Sequence, residues 1–549
     1  VAKGYRRVDR DQGFLLPPDM REWLPADHPV WWVIETVGQL DTRALHAKRR
    51  TGGAGRAGFD PDMLLTLLIW GWAHGERSSR RLERLTQEDV TYRVICGGDS
   101  PDHTVISRFR QTVGDAVPEL FAQVMVLCRK LGMVRLGTVA LDGTKIAADA
   151  SPGANLTEEG LRAAARKHAE KAAAEHAATD TGEDEQFGPD GRGDVVPPDP
   201  DDDPDGPDNP GGGGGPGGGG GGRGRAERIA RALQELRAQE AAFAAAETPK
   251  NPDRTRKGHP TERQMELARA RVARAEARQQ AKIDNYRAAQ STGRPGPRGV
   301  PTTMESSVKV ARARKSLARL EERAQGPEHV NVRIRRRIAA GGGRGPVANV
   351  TDPDSRLQPL RGGGWLQGYN CQALTSSDGI ILATSVSSNP IDSPTFPGML
   401  QAGLQAAQLL AAHQPESITR TDTTIGMILA DAGYLSRQNL TMPGPDRLIA
   451  VGKRRDLERA ARHAATDPPP PGQTAGPPDP IEAMKQRLAT PDGIATYRQR
   501  SHIAETPFGN TKHNNGFRRF TGRGLARAVT DWQFNALVHN LFKAHRHAT

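Results

Sequence analysis

Only three cysteines occur in 549 residues, Cys96, Cys128 and Cys371. They are far apart, odd in number and outside any CxxC pair, which argues against a disulfide framework or a cysteine-ligated zinc site and points to a reducing compartment. Long apolar runs are also missing, so no membrane-spanning helix is expected, and the opening residues are too polar for a signal peptide. Acidic side chains fall short of basic ones, 64 against 76, giving a formal net charge of +12. That surplus favours a polyanionic partner and says nothing about fold. What the chain does have is length, enough for two or more domains.

The first 132 residues read as helical. A proline-punctuated arm leads to an apolar helix around Trp31 to Leu40. Asp60 is placed to cap a helix with Pro61 at its first position, Met63, Leu64, Leu67, Leu68 and Trp72 at helical spacing, and Gly75 at its end. A short helix over 78–85 follows, and another after Ser100-Pro101-Asp102 holds His103, Ile106 and Phe109. The set fits a helix-turn-helix-like module in which Arg108 and Arg110 grip DNA phosphates. A plain helical bundle with arginines on its wet face fits the same pattern.

After an amphipathic helix over 120–131, Val134 to Leu141 turns β-like and ends at Asp142-Gly143-Thr144. An aspartate at the carboxyl end of a buried strand is where α/β folds put chemistry, although a simple strand-end turn reads the same way. Between 151 and 349 the character changes. An Ala-rich charged helix over 161–178 gives way to an acidic, Pro-rich stretch and then to a run over 211–222 made of glycine and Pro216. This reads as a helical insertion with a disordered linker at about 180–225, too poor in apolar groups to fold. Beyond it, Ile229, Leu233, Leu236 and Phe243 nearly keep a heptad seam, and Val310, Leu317 and Leu320 mark a second basic helix.

Organised pattern returns near Asp352. Two β-rich runs, 368–375 and 380–387, flank a hairpin turn. An amphipathic helix then ends near Ala411, a strand over 424–430 delivers Asp431, and a short strand spans 448–451. A Pro-rich insert over 468–480 precedes further helix, including Tyr497 to Lys512, where Glu505 stands among basic and small residues. The layout is mixed α/β with helices packed on a sheet. Asp142, Asp431 and Glu505, carried by two strands and a helix, are oxygen donors of the kind that paired Mg²⁺ or Mn²⁺ ions prefer. Three carboxylates brought close without a cation would repel one another.

Taken in order, these segments resemble a bacterial insertion-sequence transposase of the Asp-Asp-Glu type. Residues 101–110 are similar to the end of that family's N-terminal helical domain, and Leu-Asp-Gly-Thr-Lys (141–145) to its first-aspartate segment. Gly-Tyr-Asn-Cys-Gln-Ala (368–373), Asn-Pro-Ile-Asp-Ser (389–393) and Ala-Asp-Ala-Gly-Tyr (430–434) match the hairpin, the loop after it and the second-aspartate segment. Residues 497–512 resemble the family's Tyr-Arg-Glu-Lys signature, with one residue more than the common form between Arg500 and Glu505, and 517–520 extend the match.

The resemblance implies an α/β fold with an RNase H-like catalytic core, a mixed sheet flanked by helices, over 133–150 and 350–549. It adds an all-helical DNA-binding domain over 1–132 and a helical, partly disordered insertion over 151–349. It further implies that Asp142, Asp431 and Glu505 ligate two Mg²⁺, with Mn²⁺ as a substitute, for cleavage and strand transfer at the element's ends. Arg500, Lys512, Arg518 and Arg519, with Arg108 and Arg110, would hold DNA phosphates, and Tyr497 would stack on or hydrogen-bond to the DNA. From Tyr497 onward nine basic residues face two acidic ones, as a phosphate-binding surface requires. The partners implied are terminal inverted repeats and target DNA, met by a homo-oligomer on paired ends in the bacterial cytoplasm, at the nucleoid when bound. A transposase-derived DNA-binding protein without catalysis, and a metal-dependent nuclease of the same fold, share these motifs.

Overall fold

The sheet is organised around β1 (Thr138–Ala147), with β2 (Arg356–Pro359), β3 (Trp365–Ser376), β4 (Ile381–Ser387), β5 (Met427–Ala430) and β6 (Asp446–Ile449). In this computed structural model the described residues are 19–47, 58–187, 221–247, 262–292, 299–325, 347–360, 363–413, 423–452 and 479–549. The amino-terminal arm before residue 19, the glycine run up to residue 220 and most of the Pro-rich insert lie outside them. β3 is antiparallel to β1, with Ala373 opposite Asp142 and Asn370 opposite Lys145. Its first residues also pair with β2 and its later ones with β4. On the other side of β1 lie β5 and then β6, both parallel, so the sheet is mixed.

The strand expected to stop at Leu141 is corrected here: β1 starts at Thr138 and continues through Asp142 to Ala147 because β3 pairs along all but its first residue. The preceding residues are a turn instead. Val134 adopts a φ of 70°, its N–H donates to Asp378 Oδ2 at 2.7 Å, and its carbonyl accepts from Arg129 Nη1 at 2.7 Å.

Contact clustering gives two units. The first comprises Val1–Asn155, Gly219–Ala232 and Asn349–Thr549, and the second Leu156–Gly218 and Leu233–Ala348. The helices expected as a separate N-terminal domain therefore share a unit with the sheet. They are α1 (Pro29–Gln39), α2 (Pro61–Ala73), α3 (Ser79–Glu88), α4 (Val90–Ile95), α5 (His103–Thr112) and α6 (Val117–Lys130). Asp60 and Asp102 cap α2 and α5 by accepting from the N–H two residues on, at 2.9 and 2.7 Å. α2 is buried on nearly every side, Leu64 to Trp72, which its almost uninterrupted apolar sequence dictates.

The insertion contributes α7 (Glu158–Phe187), α8 (Gly221–Glu247), α9 (Glu262–Thr292) and α10 (Val308–Gln325). In the second unit α9 and α10 pack together, with Arg314 paired to Glu276 at 2.7 Å and Val310 fully buried. Along α8, Ile229, Ala232 and Leu236 are the buried positions. Leu233 is half-buried, and the Phe243 side chain lies outside the described residues.

The first unit also holds α11 (Phe396–Ala411), α12 (Pro480–Ala489), α13 (Pro491–Gly509) and α14 (Leu525–Ala548), besides the short helices Arg43–His46 and Arg437–Thr441. α14 is its central helix, burying Trp532, Phe534, Leu537, Val538 and Leu541 against α6, β4 and α2. Asn540 accepts from Ile381 N and donates to Ile381 O, both at 2.8 Å, so an amide side chain binds β4 as a neighbouring strand would. Among the described residues no helix is long and apolar enough to cross a membrane.

Next to it, His539 is fully enclosed. Its Nε2 lies 3.0 Å from the carbonyl of Gly379, which can only accept, so Nε2 carries the proton and Nδ1 accepts from Asn510 Nδ2 at 3.2 Å. Burial pushes its pKa down to about 4 from an ordinary 6.5. The unfolded chain therefore binds a proton that the folded one refuses, and stability falls as pH drops from 6.5 towards 4. The size is on the order of 3 kcal/mol. In urea titrations at pH 7 and 4.5, His539→Gln is expected to lose less stability on acidification than the parent; an equal loss would remove His539 from the explanation.

Candidate active site

Strand register brings the first two carboxylates together. The parallel β1–β5 pairing ends at Leu141 opposite Ala430. The next residue on each strand is the aspartate, so Asp142 and Asp431 leave the same edge side by side. Apolar residues hold the strands beneath them: Ala140, Leu429 and Leu448 are buried against Met484 and Leu488 of α12 and Ile503 and Ala504 of α13. Tyr497, on α13, donates its hydroxyl to the carbonyl of Ala430 at 3.2 Å, tying the helix to the residue before Asp431.

Asp142 is buried and accepts from its neighbour Gly143 N at 2.8 Å. Burial holds its carboxyl above the usual aspartate range; Arg500 opposes that shift and Asp431 adds to it. The Arg500 Nη1 lies 3.0 Å from Asp142 Oδ2, and its Nη2 is 3.9 Å from Glu505 Oε1. Glu505 itself is 63% exposed. The guanidinium therefore stands between the first and third carboxylates as their common cation. Asp431 accepts from Gly433 N at 2.8 Å and so shapes the turn after β5.

The three carboxylates do not draw their oxygens within 4.8 Å of one another. Among the described residues the groups that do are His46 with Asp60 and Asp62, and Glu83 with Asp102 and His103. In both of those one aspartate is a helix cap. The donor set at Asp142, Asp431 and Glu505 nevertheless fits a hard divalent cation: all donors are carboxylate oxygens. Asp142, enclosed and beside Asp431, needs positive charge, which Arg500 supplies here.

The opposite face of β1 carries a polar network that sequence reasoning left as motif segments. Asn370 and Gln372, fully buried on β3, both donate to Asp392 Oδ1, at 2.7 and 3.0 Å. Lys145 lies 3.6 Å from the same oxygen and donates to Pro390 O at 3.0 Å. Tyr434 donates its hydroxyl to Gln372 Oε1. The available signal was polar residues at i and i+2 in an otherwise buried strand, which place both amides on one face.

Two motif glycines follow from this network. A Cβ on Gly143 would sit 2.5 Å from Gln372 Nε2. One on Gly433 would sit 2.7 Å from Asp392 Oδ2 and 2.9 Å from Asp431 Oδ1. Gly433→Ala is thus expected to displace the Asp431 carboxylate and lower divalent-ion affinity by about 10–100-fold, as loss of an orienting partner does. Calorimetric titration with Mn²⁺ checks it, and parent-like affinity would contradict it.

The remaining predicted residues divide sharply. Lys512, on a π-helical turn after α13, donates to Lys145 O at 3.1 Å and is half-buried. Arg110 is turned inward: it donates to Arg77 O at 2.8 Å and lies 3.5 Å from Asp531 Oδ2. Its geometry makes it an interior guanidinium, not the phosphate grip expected. Arg108 and Arg519 are exposed, and Arg518, also exposed, donates to Lys512 O at 3.0 Å.

A mixed sheet flanked by helices, with Asp142 within the central strand and Asp431 just past the end of its parallel neighbour, defines a class: an α/β protein whose site suits metal-assisted chemistry. Family models narrow it. Residues 18–112 match the Transposase domain (DUF772) model, and residues 479–545 match the Transposase DDE domain model. Together they support an insertion-sequence transposase of the DDE type. Comparison with curated proteins and with solved structures finds no match. The second matched segment contains Glu505, whereas Asp142 and Asp431 lie outside both segments, so their pairing by register is a separate observation.

Proposed function

We propose that the first unit is the catalytic unit of an insertion-sequence transposase with an RNase H-like core, cleaving phosphodiesters at terminal inverted repeats and joining them to target DNA. The observation that carries this reading is the register of β1 and β5, which sets Asp142 beside Asp431 under the helix that bears Arg500 and Glu505. Asp142, Asp431 and Glu505 would hold two Mg²⁺, with Mn²⁺ able to serve in their place. Bound divalent ions of this kind activate the attacking oxygen and stabilise the leaving one in in-line displacement.

The chain's own residues do the rest. Arg500 neutralises Asp142 and Glu505 in the metal-free site; divalent ions held by these carboxylates would supply that positive charge, leaving Arg500 available to a phosphate. Tyr497 fixes α13 on the end of β5, and Lys512 braces β1 from the π-helical turn that follows α13. Arg518, Arg519 and Arg108 would meet DNA phosphates from the surface, giving the Tyr-Arg-Glu-Lys segment both its acid and its grip. A homo-oligomer on paired ends would let both element ends be processed together.

The test is direct. Purified protein with Mg²⁺ and DNA carrying the element's terminal repeats should produce nicks with 3′-hydroxyls at the repeat boundary, and joined products with target DNA. Binding without any cleavage would support a DNA-binding protein instead, and cleavage without joining a nuclease.

A further inference from the structure

A cavity of about 800 Å³ opens in the first unit, lined by residues of α14, the β3–β4 turn, the segment before β1 and one stripe of α13 with the turn that follows it. Three cationic side chains line it, Arg135, Lys543 and Arg546, together with the imidazoles of His539 and His547. His547 Nε2 donates to the carbonyl of Leu131 at 3.2 Å. Arg135, Lys543 and Arg546 have no ion pair or side-chain hydrogen bond among the described residues.

A single acid among the described residues, Asp378, faces these three cations, and it favours the charge on Lys543. Asp378 accepts from Val134 N at 2.7 Å, Arg135 N at 3.3 Å and Ser376 Oγ at 2.5 Å, so its oxygens are already engaged by the chain. The contrast with the candidate active site is clear: there Arg500 and Lys512 are hydrogen-bonded to the chain, while here three cations line one cavity without a hydrogen-bonded acid among the described residues. Arg135 and Arg546 are exposed at the rim and Lys543 is half-buried. Like charges gathered without partners cost stability, and a concave basic surface of this kind concentrates a polyanion.

Position decides which polyanion. Thr506, the residue after Glu505, and Asn510, one turn on, line the cavity. The cavity therefore begins one residue along the chain from Glu505. We infer that this cleft is a DNA contact in its own right, taking the phosphodiester backbone of the strand that passes Glu505. The inference rests on the reading of the first unit as a DNA-processing enzyme, and it adds a surface made of residues other than Arg108, Arg518 and Arg519.

Fluorescence anisotropy on the full chain in EDTA, with terminal-repeat and unrelated duplexes across a salt series, separates the two ideas. Arg135→Gln, Lys543→Gln and Arg546→Gln should each weaken both duplexes equally and lower the slope of log affinity against log salt by about 1. The triple variant should lose at least about tenfold in affinity, since phosphate contacts dominate such binding. Charge-keeping Arg135→Lys with Arg546→Lys should bind like the parent. If the triple variant fails to fold, the two exposed single variants decide. Parent-like affinity and slope in the glutamine variants would overturn the inference, as would a parent chain that binds neither duplex. Because no metal is present, failure of the carboxylate assignment would leave these results unchanged.

Discussion

Asp142→Asn or Asp431→Asn is expected to reduce Mg²⁺-dependent nicking of terminal-repeat DNA by more than about 100-fold, beyond the 10–100-fold typical of losing an outer partner. Each substitution keeps size and removes the negative charge of a carboxylate that directly follows the last β1–β5 pair, Leu141 with Ala430. DNA binding in EDTA should be retained, because the cations on the surface are untouched. Glu505→Gln should act in the same direction, its carboxylate being joined to Asp142 through Arg500. A gel assay with single-turnover enzyme reads the rate; three variants that each cleave at the parental rate would remove these carboxylates from the chemistry.

The second large effect is on stability. Asp531 is buried on α14, with Arg527 Nε 3.0 Å from one oxygen and Arg110 Nη2 3.5 Å from the other. Arg77 completes the cluster, its guanidinium lying over Phe517 at 4.8 Å and over Trp72 at 5.3 Å. Arg110 lies over the same Trp72 at 5.1 Å. Asp531→Ala strands these guanidiniums without an anion, which is expected to cost about 3–5 kcal/mol. Urea unfolding followed by circular dichroism measures it. A loss below about 1 kcal/mol, the value of an exposed pair, would mean that the cluster is effectively solvated.

That cluster also explains why the helical amino-terminal segment is inseparable from the carboxy-terminal one. Arg77 and Arg110 belong to the first family-matched segment, Arg527 and Asp531 to the second. From sequence, Arg110 beside Arg108 reads as one more phosphate grip. Only the long-range meeting of α5 with α14 reveals an acid waiting for it, and no local pattern encodes a contact across more than 400 residues.

What was legible follows the same rule. Caps and periodicity are local, so α2 begins after Asp60 and α5 after Asp102 as their residues dictate. The hairpin of β3 and β4 was readable from its turn, and Asp431 from the short apolar run before it. The length of β1 was not, because residues beyond Asp142 become strand only by pairing with β3, more than 200 residues later. Likewise Asp392 was legible only as part of the 389–393 segment; its place is set by Asn370, Gln372 and Lys145, which come from two strands. The spacing of Arg500 and Glu505, one residue longer than the common form of the signature, still lets one guanidinium approach both Asp142 and Glu505, because five residues along α13 is a little over one helical turn.

The central claim, that Asp142 and Asp431 form a divalent-cation site, is tested most directly by thermal unfolding with and without Mn²⁺. A ligand at 100 times its dissociation constant stabilises the folded state by about 2.7 kcal/mol. The parent chain should therefore unfold at a higher temperature in saturating Mn²⁺, and Asp142→Asn and Asp431→Asn should lose most of that gain. A Mn²⁺-induced rise of equal size in parent and both variants would contradict the assignment.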